Sequence, residues 1–310
     1  MRFTKKDILG LEYLTPEEIT LIIETARTQK DLLSRPIKKV PILRGKSVCT
    51  LFYENSTRTR TSFELAAKML SADTSSVSVS GSSINKGESF KDTLLTLESM
   101  GIDLFIIRHE ASGSSHYASQ IVKSHVVNAG DGLHAHPTQG LLDMLTIYEN
   151  KGKFEGLNVC VVGDISHSRV ARSNVWGLAK MGAHVRVCGP STLIPPDFDK
   201  LPCEVYTDLD KALEGADAVN VLRIQKERMD RGFFPTIGEY VKLYGINNER
   251  LKGCKDDVIV LHPGPINRGV EIDADVAYNH SVILDQVTNG VAVRMAILYL
   301  LLGGGNAEII

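Results

Sequence analysis

Two patterns of apolar residues alternate along this chain. Short apolar runs, typical of buried strands, are separated by stretches in which apolar residues recur every three or four positions, as on one face of a helix. Strands are predicted at 47–53, 74–80, 104–108, 126–129, 158–162, 184–188, 218–222 and 258–261. Helices are predicted to begin at Thr15-Pro16 and after Arg58, and to cover 90–100, 137–149, 169–181 and 282–302. Strands that alternate with helices form parallel sheets covered on both faces.

The segment 151–156 is short, charged and rich in glycine, which is typical of a domain boundary. The fold class is therefore α/β, with two doubly wound parallel-sheet domains, residues 1–150 and 151–285, and the active site in the cleft between them. Ligands of such sheets bind outside the carboxyl ends of the strands. In the last helix, a core-facing stripe is predicted, formed by Val287, Val291, Met295 and Leu298.

Composition and charge exclude several classes of protein. With 310 residues, 43% of them hydrophobic, and a formal net charge of −2, the chain has no general attraction to nucleic acid or to an anionic membrane. No apolar run is long enough to span a bilayer, and the start turns acidic before a signal sequence could develop. Five scattered cysteines lack the spacing of a metal site. We expect a cytoplasmic protein without disulfides.

The segment Ser56-Thr57-Arg58-Thr59-Arg60 lies where a strand ends and a helix begins. Unpaired backbone N–H groups and the positive end of the helix dipole favour an anion there. Two arginines in a first turn are unfavourable unless an anion binds between them. The pattern therefore predicts a phosphate site, although Arg60 could instead pair with Glu64 one turn later.

Further polar residues follow other predicted strands. Arg108, His136 and Gln139 could hold a carbonyl oxygen and stabilise its developing charge; alternatively they are a surface charge, a helix cap and a solvated side chain. In the second half, Arg169 and Arg223 could each hold one carboxylate of a dicarboxylate, with structural ion pairs as the alternative. His134 and His136 have no third ligand at a characteristic spacing, so we expect no metal.

Two other functions compete with carbonyl chemistry. A nucleotide site would need Gly-x-Gly-x-x-Gly after the strand at 158–162, but the sequence there runs from Gly163 to Arg169 without those glycines. A P-loop lysine motif is also absent. A binding protein without activity is the other alternative, and the predicted phosphate site argues against it. An assay for phosphate release would separate these classes.

Four motifs resemble those of the aspartate/ornithine carbamoyltransferase family, in family order. They are Ser56–Arg60, His136-Pro137-Thr138-Gln139, Arg223–Arg228 and His262-Pro263-Gly264-Pro265. The His-Cys-Leu-Pro turn and the Ser-Met-Gly sequence that are usual in the ornithine branch are missing. The resemblance therefore favours aspartate over ornithine, the alternative, as the acceptor. It implies formation of N-carbamoyl-L-aspartate and phosphate in pyrimidine (UMP) biosynthesis, without a cofactor.

The resemblance also implies the residues that act. Catalytic roles fall to Arg58, Thr59, Lys86, Arg108 and His136. Carbamoyl phosphate would be bound by Ser56, Thr57, Arg58, Thr59, Ser82, Lys86, Arg108, His136, Gln139, Gly264 and Pro265, the last two through the turn whose carbonyls receive the substrate amine. Aspartate would be bound by Lys86, Arg169, Arg223 and Gln225.

Assembly is likewise expected only from the resemblance. Matching loops bring their serine and lysine into the site of a neighbouring subunit, which predicts a homotrimer whose sites are shared through Ser82 and Lys86. The helix at about 286–310 is expected to pack back on the first domain. A regulatory chain or a dihydroorotase is a conceivable further partner.

Overall fold

The chain folds into two compact units, as described by a computed structural model that covers residues 2–78, 87–224 and 236–303. The first unit comprises Met1–Leu145 together with Thr288–Ile310, and the second comprises Thr146–Val287. The first unit is therefore built from two separate segments of the chain, whereas the second is continuous.

The first unit is built on a parallel sheet in the order β2-β1-β3-β4. Its strands are β1 (Ser47–Phe52), β2 (Asp73–Ser78), β3 (Leu104–His109) and β4 (His125–Asp131). Its helices are α1 (Pro16–Lys30), α2 (Thr57–Met69), α3 (Phe90–Ser99), α4 (Ser114–Ile121) and the first part of α5 (Pro137–Lys151).

A second parallel sheet, in the order β7-β6-β5-β8-β9, organises the other unit. Its strands are β5 (Asn158–Val162), β6 (His184–Cys188), β7 (Glu204–Tyr206), β8 (Ala218–Val221) and β9 (Ile259–Leu261). The helices are α6 (Arg169–Lys180), α7 (Leu209–Leu213), α8 (Ile237–Tyr244), α9 (Asn248–Leu251), α10 (Ala274–Asn279) and the start of α11 (Ile283–Leu302), which continues in the first unit from Thr288. The boundaries between the units fall inside α5 and α11. None of the helices in the described ranges has the length and apolarity needed to cross a membrane.

In each sheet, successive strands are first added on one side and then, from one point onward, on the other side. In the first sheet this point lies between β1 and β3, which pair as far as Phe52 and Arg108. In the second it lies between β5 and β8, which pair as far as Val162 and Val221. The connections after these strands leave in opposite directions and open a crevice, which is where ligands of doubly wound sheets bind.

Local sequence signals explain why the first long helix begins where it does. Thr15 accepts a hydrogen bond from the N–H of Glu18 at 3.2 Å, and the Glu18 carboxylate accepts one from the N–H of Thr15 at 2.9 Å. This reciprocal capping box satisfies two donors at the helix start. The stripe of apolar residues beyond it is buried, with Ile19 and Ile22 at 0% exposure. The predicted start of α1 is confirmed.

Three parts of the sequence interpretation can be compared directly with the fold. The predicted stripe on the last helix is wrong at Val287, which is 58% exposed, although Met295 and Leu298 are fully buried. Helix α4 was not predicted, because its buried face consists of Ser114, Ser115 and Ala118, which give no apolar period. All five cysteines are free thiols.

Candidate active site

The predicted phosphate site lies at the start of α2, directly after β1. Ser56 is the N-cap residue of α2, but its side chain accepts no hydrogen bond from the helix. In α1, α3 and α6, by contrast, a serine or threonine side chain at this position caps the helix. Arg58 is exposed and Thr59 is buried. The first turn of α2 thus has donors and a positive dipole end that its own cap does not satisfy.

Arg60 lies in the same turn and does not pair with Glu64, the alternative that the sequence suggests. It is half-buried, and within the described ranges no ion pair with Glu64 is formed at 4 Å or less. The hydroxyl of Ser62 instead donates to the carbonyl of Thr59 at 2.9 Å, so the first turn is stabilised locally. The structure does not assign Arg60 a role.

Arg108 joins the ends of three strands. Its carbonyl accepts a hydrogen bond from the N–H of Tyr53 at 2.8 Å, which ties β3 to the end of β1. Its guanidinium Nη1 donates to the carbonyl of Ala129 in β4 at 3.2 Å, and its Nε lies 3.2 Å from Glu54 Oε2. With its side chain 15% exposed, Arg108 is not a surface charge. It lies at the same edge of the sheet as the phosphate site.

His136 and Gln139 lie at the start of α5. The carbonyl of His136 accepts the N–H groups of Gln139 and Gly140 at 3.0 and 3.1 Å, so its backbone closes the first turn. The residue itself is only 5% exposed, and Gln139 is 9% exposed. The amide Nε2 of Gln139 donates to Asp143 Oδ1 at 2.9 Å. Gln139 is therefore not a solvated side chain, and one N–H of its amide is donated to Asp143.

The turn between β4 and His136 is held by two carboxylates on His134. Its ring nitrogens lie 3.0 Å from Asp131 Oδ2 and 2.8 Å from Glu12 Oε1. These hydrogen bonds, first to Asp131 and then to Glu12, raise the pKa of His134 to about 10. Asp131 also accepts the backbone N–H groups of Gly113 and Ala135. His134 is thus a cation that fixes the turn carrying His136, and in the described ranges no group of metal-binding side chains is found.

In the second unit, Arg169 opens α6 after β5. The hydroxyl of Ser168 caps this helix by accepting the N–H of Ala171 at 3.1 Å. Arg169 is 5% exposed. One residue before the cap, His167 Nδ1 lies 2.8 Å from the fully buried Asp164 Oδ1, which fixes the loop that leads to Arg169. Arg169 thus lies at the start of α6, on the carboxyl side of β5.

Arg223 and the turn at 262–265 lie at the same edge, after β8 and β9. The amide of Asn267 donates to the carbonyl of Ile224 at 3.1 Å, which links the two loops. Within the turn, the N–H of Gly264 donates to His262 Nδ1 at 2.7 Å, and His262 Nε2 lies 3.2 Å from the buried Glu271. These contacts position Gly264 and Pro265. Three predicted ligands, Ser82, Lys86 and Gln225, lie outside the described residues.

Two family models together span most of the chain. The model described as "Aspartate/ornithine carbamoyltransferase, carbamoyl-P binding domain" matches residues 6–149, and the one described as "Aspartate/ornithine carbamoyltransferase, Asp/Orn binding domain" matches residues 155–301. The chain belongs to the aspartate/ornithine carbamoyltransferase family. The family resemblance predicted from four motifs is therefore confirmed.

Relatives within this family are similar over nearly their full length. The aspartate carbamoyltransferase catalytic subunit of Desulforamulus reducens is 61% identical over 305 residues, 98% of each chain, and that of Heliobacterium modesticaldum is 60% identical over 308 residues, 99% of each. Among solved structures, ornithine carbamoyltransferase from Pyrococcus furiosus is 28% identical with a TM-score of 0.86, over 98% of this chain and 99% of that one. Aspartate transcarbamoylase from Trypanosoma cruzi in complex with carbamoyl phosphate gives the same identity and TM-score over 96% and 95%.

The sequence analysis did not identify three carboxylates that contact predicted site residues or the loop beside them. Glu54 pairs with Arg108, Asp143 with Gln139, and Asp164 with His167. Only the spacing of Gln139 and Asp143, four residues apart on one helix, gave a signal that could have been used. The other pairs depend on loop geometry that no periodicity encodes.

Proposed function

We propose that this chain transfers the carbamoyl group of carbamoyl phosphate to the α-amine of L-aspartate. The products are N-carbamoyl-L-aspartate and phosphate, a step of pyrimidine (UMP) biosynthesis. The observation that carries the proposal is the start of α2, where the Ser56 hydroxyl leaves the helix uncapped beside Arg58 and Thr59. An uncapped helix start with an arginine fork suits a phosphate group. The full-length relatives that bear the name aspartate carbamoyltransferase catalytic subunit agree with it.

The substrate roles are divided between residues that follow the strands of the first sheet and residues that follow the strands of the second. Ser56, Thr57, Arg58 and Thr59 bind the phosphate of carbamoyl phosphate, while Arg108 and His136 bind the carbonyl oxygen. Arg169, Arg223 and Gln225 bind the carboxylates of aspartate, and the carbonyls of Gly264 and Pro265 receive the amine. Two arginines on separate loops hold a dicarboxylate in one orientation, because each guanidinium fork matches a carboxylate.

The reaction proceeds by direct attack of the neutral amine on the carbonyl carbon. A tetrahedral intermediate forms, and its oxyanion is stabilised by Thr59, Arg108 and His136. The intermediate then collapses as the C–O bond to phosphate breaks, and the leaving phosphate accepts the amine proton. Arg58 stabilises the charge that grows on this leaving group. Catalysis then rests on positioning, which contributes roughly 7–11 kcal/mol in well-oriented pairs, and on fixed charges.

The acceptor is tested by supplying aspartate and ornithine side by side. We expect the purified protein to release phosphate from carbamoyl phosphate with aspartate and to give negligible turnover with ornithine. Mass spectrometry of N-carbamoyl-L-aspartate identifies the product. Turnover with ornithine at the rate found for aspartate, or no carbamoyl transfer to either, would contradict the proposal.

We further propose a homotrimer in which Ser82 and Lys86 act in the site of the neighbouring subunit. The proposal rests on the family resemblance of the loop that carries them. Arg58→Ala and Lys86→Ala should each inactivate the pure trimer. In mixed trimers, some sites would combine an intact lysine with an intact phosphate site, so co-refolding the two variants should restore a substantial fraction of the activity.

Native mass spectrometry provides the control for this experiment, because it shows whether mixed trimers have formed. Mixed trimers that stay as inactive as either parent would exclude shared sites. A stable monomer in the same spectrum would exclude the trimer itself. Association with a regulatory chain or a dihydroorotase would appear as additional mass when the protein is isolated from its own cells.

A further inference from the structure

Asp143 is a buried carboxylate that the proposed reaction does not use. It lies on α5, one turn after Gln139, and is 0% exposed. Its Oδ1 accepts the hydrogen bond from Gln139 Nε2 at 2.9 Å. The nitrogen end of the Gln139 amide therefore faces Asp143, since the amide N–H is the donor and the carboxyl oxygen the acceptor. The amide oxygen is then the end of Gln139 that remains for a ligand.

A buried cation acts on Asp143. Arg294, on α11, is 4% exposed, and its charge interacts with that of Asp143. Burial lowers the pKa of the Arg294 guanidinium to about 10, while Asp143 opposes this shift. At neutral pH Arg294 therefore still carries its charge. The attraction is mutual, so the cation favours the carboxylate over the neutral acid.

Close packing fixes this cation in place. Arg294 Nη1 donates to the carbonyl of Gly290 at 2.8 Å, and the guanidinium carbon lies 5.0 Å from the centre of the Phe63 ring. A Cβ atom at position 290 would lie 2.7 Å from Arg294 Nη1 and 3.2 Å from a methyl group of Leu142. A side chain at position 290 would therefore displace the Arg294 guanidinium. Phe63 belongs to α2, so Arg294 packs on that helix while its charge acts on Asp143 in α5.

We propose that Asp143 and Arg294 are positioning residues that lock the Gln139 amide with its oxygen towards the ligand and so select an acyl phosphate that bears an N–H group. This rests on the proposed function for the identity of that ligand, carbamoyl phosphate. Its NH₂ group donates a hydrogen bond to the amide oxygen. Acetyl phosphate has a methyl group at this position and would leave the oxygen unpaired. A site built to bind an N–H group discriminates strongly against an analogue that lacks it.

Two stable phosphonates test the proposal without turnover. Phosphonoacetamide and acetonylphosphonate differ only in NH₂ against CH₃, and calorimetry measures the affinity of each. We expect the wild-type protein to prefer the amide by about tenfold. Asp143→Asn has nearly the same shape, but its own NH₂ group can donate to the Gln139 oxygen and turn the amide over. The ratio of the two affinities should then fall towards one, while the affinity for the ketone stays about the same.

Further variants separate selection from general damage. Arg294→Met removes the cation and should also lower the preference, whereas Arg294→Lys keeps the charge and should retain most of it. Met144→Leu, at the adjacent buried position, is the packing control and should leave the preference unchanged. If Arg294→Met fails to fold by circular dichroism, Asp143→Asn still decides the question.

The outcomes keep this inference apart from the proposed function. A wild-type protein without preference, or a folded Asp143→Asn variant with an unchanged preference, would overturn the inference. An equal loss of affinity for both phosphonates would do the same, since it would indicate a purely structural role. If the preference behaves as expected but no carbamoyl group reaches aspartate, the inference stands and the proposed function fails.

Discussion

Two helices of this chain begin with a serine at the N-cap and an arginine in the first turn, and each follows a strand at the point where strand addition changes sides in its sheet. At α6, the Ser168 hydroxyl caps the helix and Arg169 is buried. At α2, the Ser56 hydroxyl makes no cap and Arg58 is exposed. Similar sequences therefore give one helix start that is satisfied internally and one that is left for an anion. In α2 the open helix start and Arg58 together suit the phosphate proposed there, whereas in α6 Ser168 already satisfies a backbone donor of the helix start.

The largest effect is expected at the open helix start. Arg58→Ala should lower kcat by about two to three orders of magnitude, because one donor is lost where negative charge grows in the transition state. The thermal unfolding midpoint should stay near that of the wild type, since Arg58 is exposed. Arg58→Lys keeps the charge without the fork and should recover only part of the rate. Wild-type turnover by folded Arg58→Ala would remove the phosphate role.

The second unit should respond differently to the loss of an arginine. Arg223→Ala should weaken aspartate binding by roughly ten- to a hundredfold, the size expected for one charge-assisted hydrogen bond. The affinity for carbamoyl phosphate, measured by calorimetry, should hardly change. A comparable loss for both substrates would contradict the assignment of carbamoyl phosphate to residues of the first sheet and of aspartate to residues of the second.

The two serines offer the closest test of the comparison. Ser168→Ala should lower the free energy of unfolding by about 1 kcal/mol, because a helix loses its cap. Ser56→Ala should leave that free energy nearly unchanged and instead weaken phosphate binding several-fold. Denaturant unfolding and calorimetry with inorganic phosphate measure the two effects. The comparison fails if the stability losses are equal.

The last effect is one on stability and its pH dependence, and it concerns the turn that carries His136. The pKa of His134 is raised to about 10 by Asp131 and Glu12. The folded state therefore holds this proton more tightly than the unfolded chain does, and the resulting stability is full below about pH 6.5 and lost as the pH rises towards 10. The difference in unfolding free energy between the wild type and His134→Gln should shrink over that range. His184→Gln, at an exposed position in β6, is the matched control.

Much of the fold was predictable because its signals are local. Thr15 and Glu18 fix the start of α1 within four residues of sequence, and the apolar runs of β5 and β6 match their predicted bounds at Asn158–Val162 and His184–Cys188. Helix α11 shows the limit of such patterns. It is apolar around most of its circumference, so its period cannot identify one buried face, and Val287 was misplaced.

The sequence predicted which motifs form the candidate site, but not how their hydrogen-bonding groups are oriented. The motif His136–Gln139 indicates a ligand group, yet it does not say which end of the Gln139 amide a ligand would meet. That depends on Asp143 and on Arg294, which lies far away in sequence and comes close only in the folded first unit. Interactions of this kind require the tertiary structure.

The division of the first unit between the two ends of the chain has a consequence for synthesis on the ribosome. The second unit, Thr146–Val287, is continuous and can complete its sheet as soon as its last residues emerge. The first unit waits for Thr288–Ile310, whose buried Ala292, Met295 and Leu298 belong to its core. Since domains generally fold as units during translation, we expect the half made first to be finished last. A nascent chain stalled just after Val287 should then resist proteolysis in its second unit while its first unit is still cleaved.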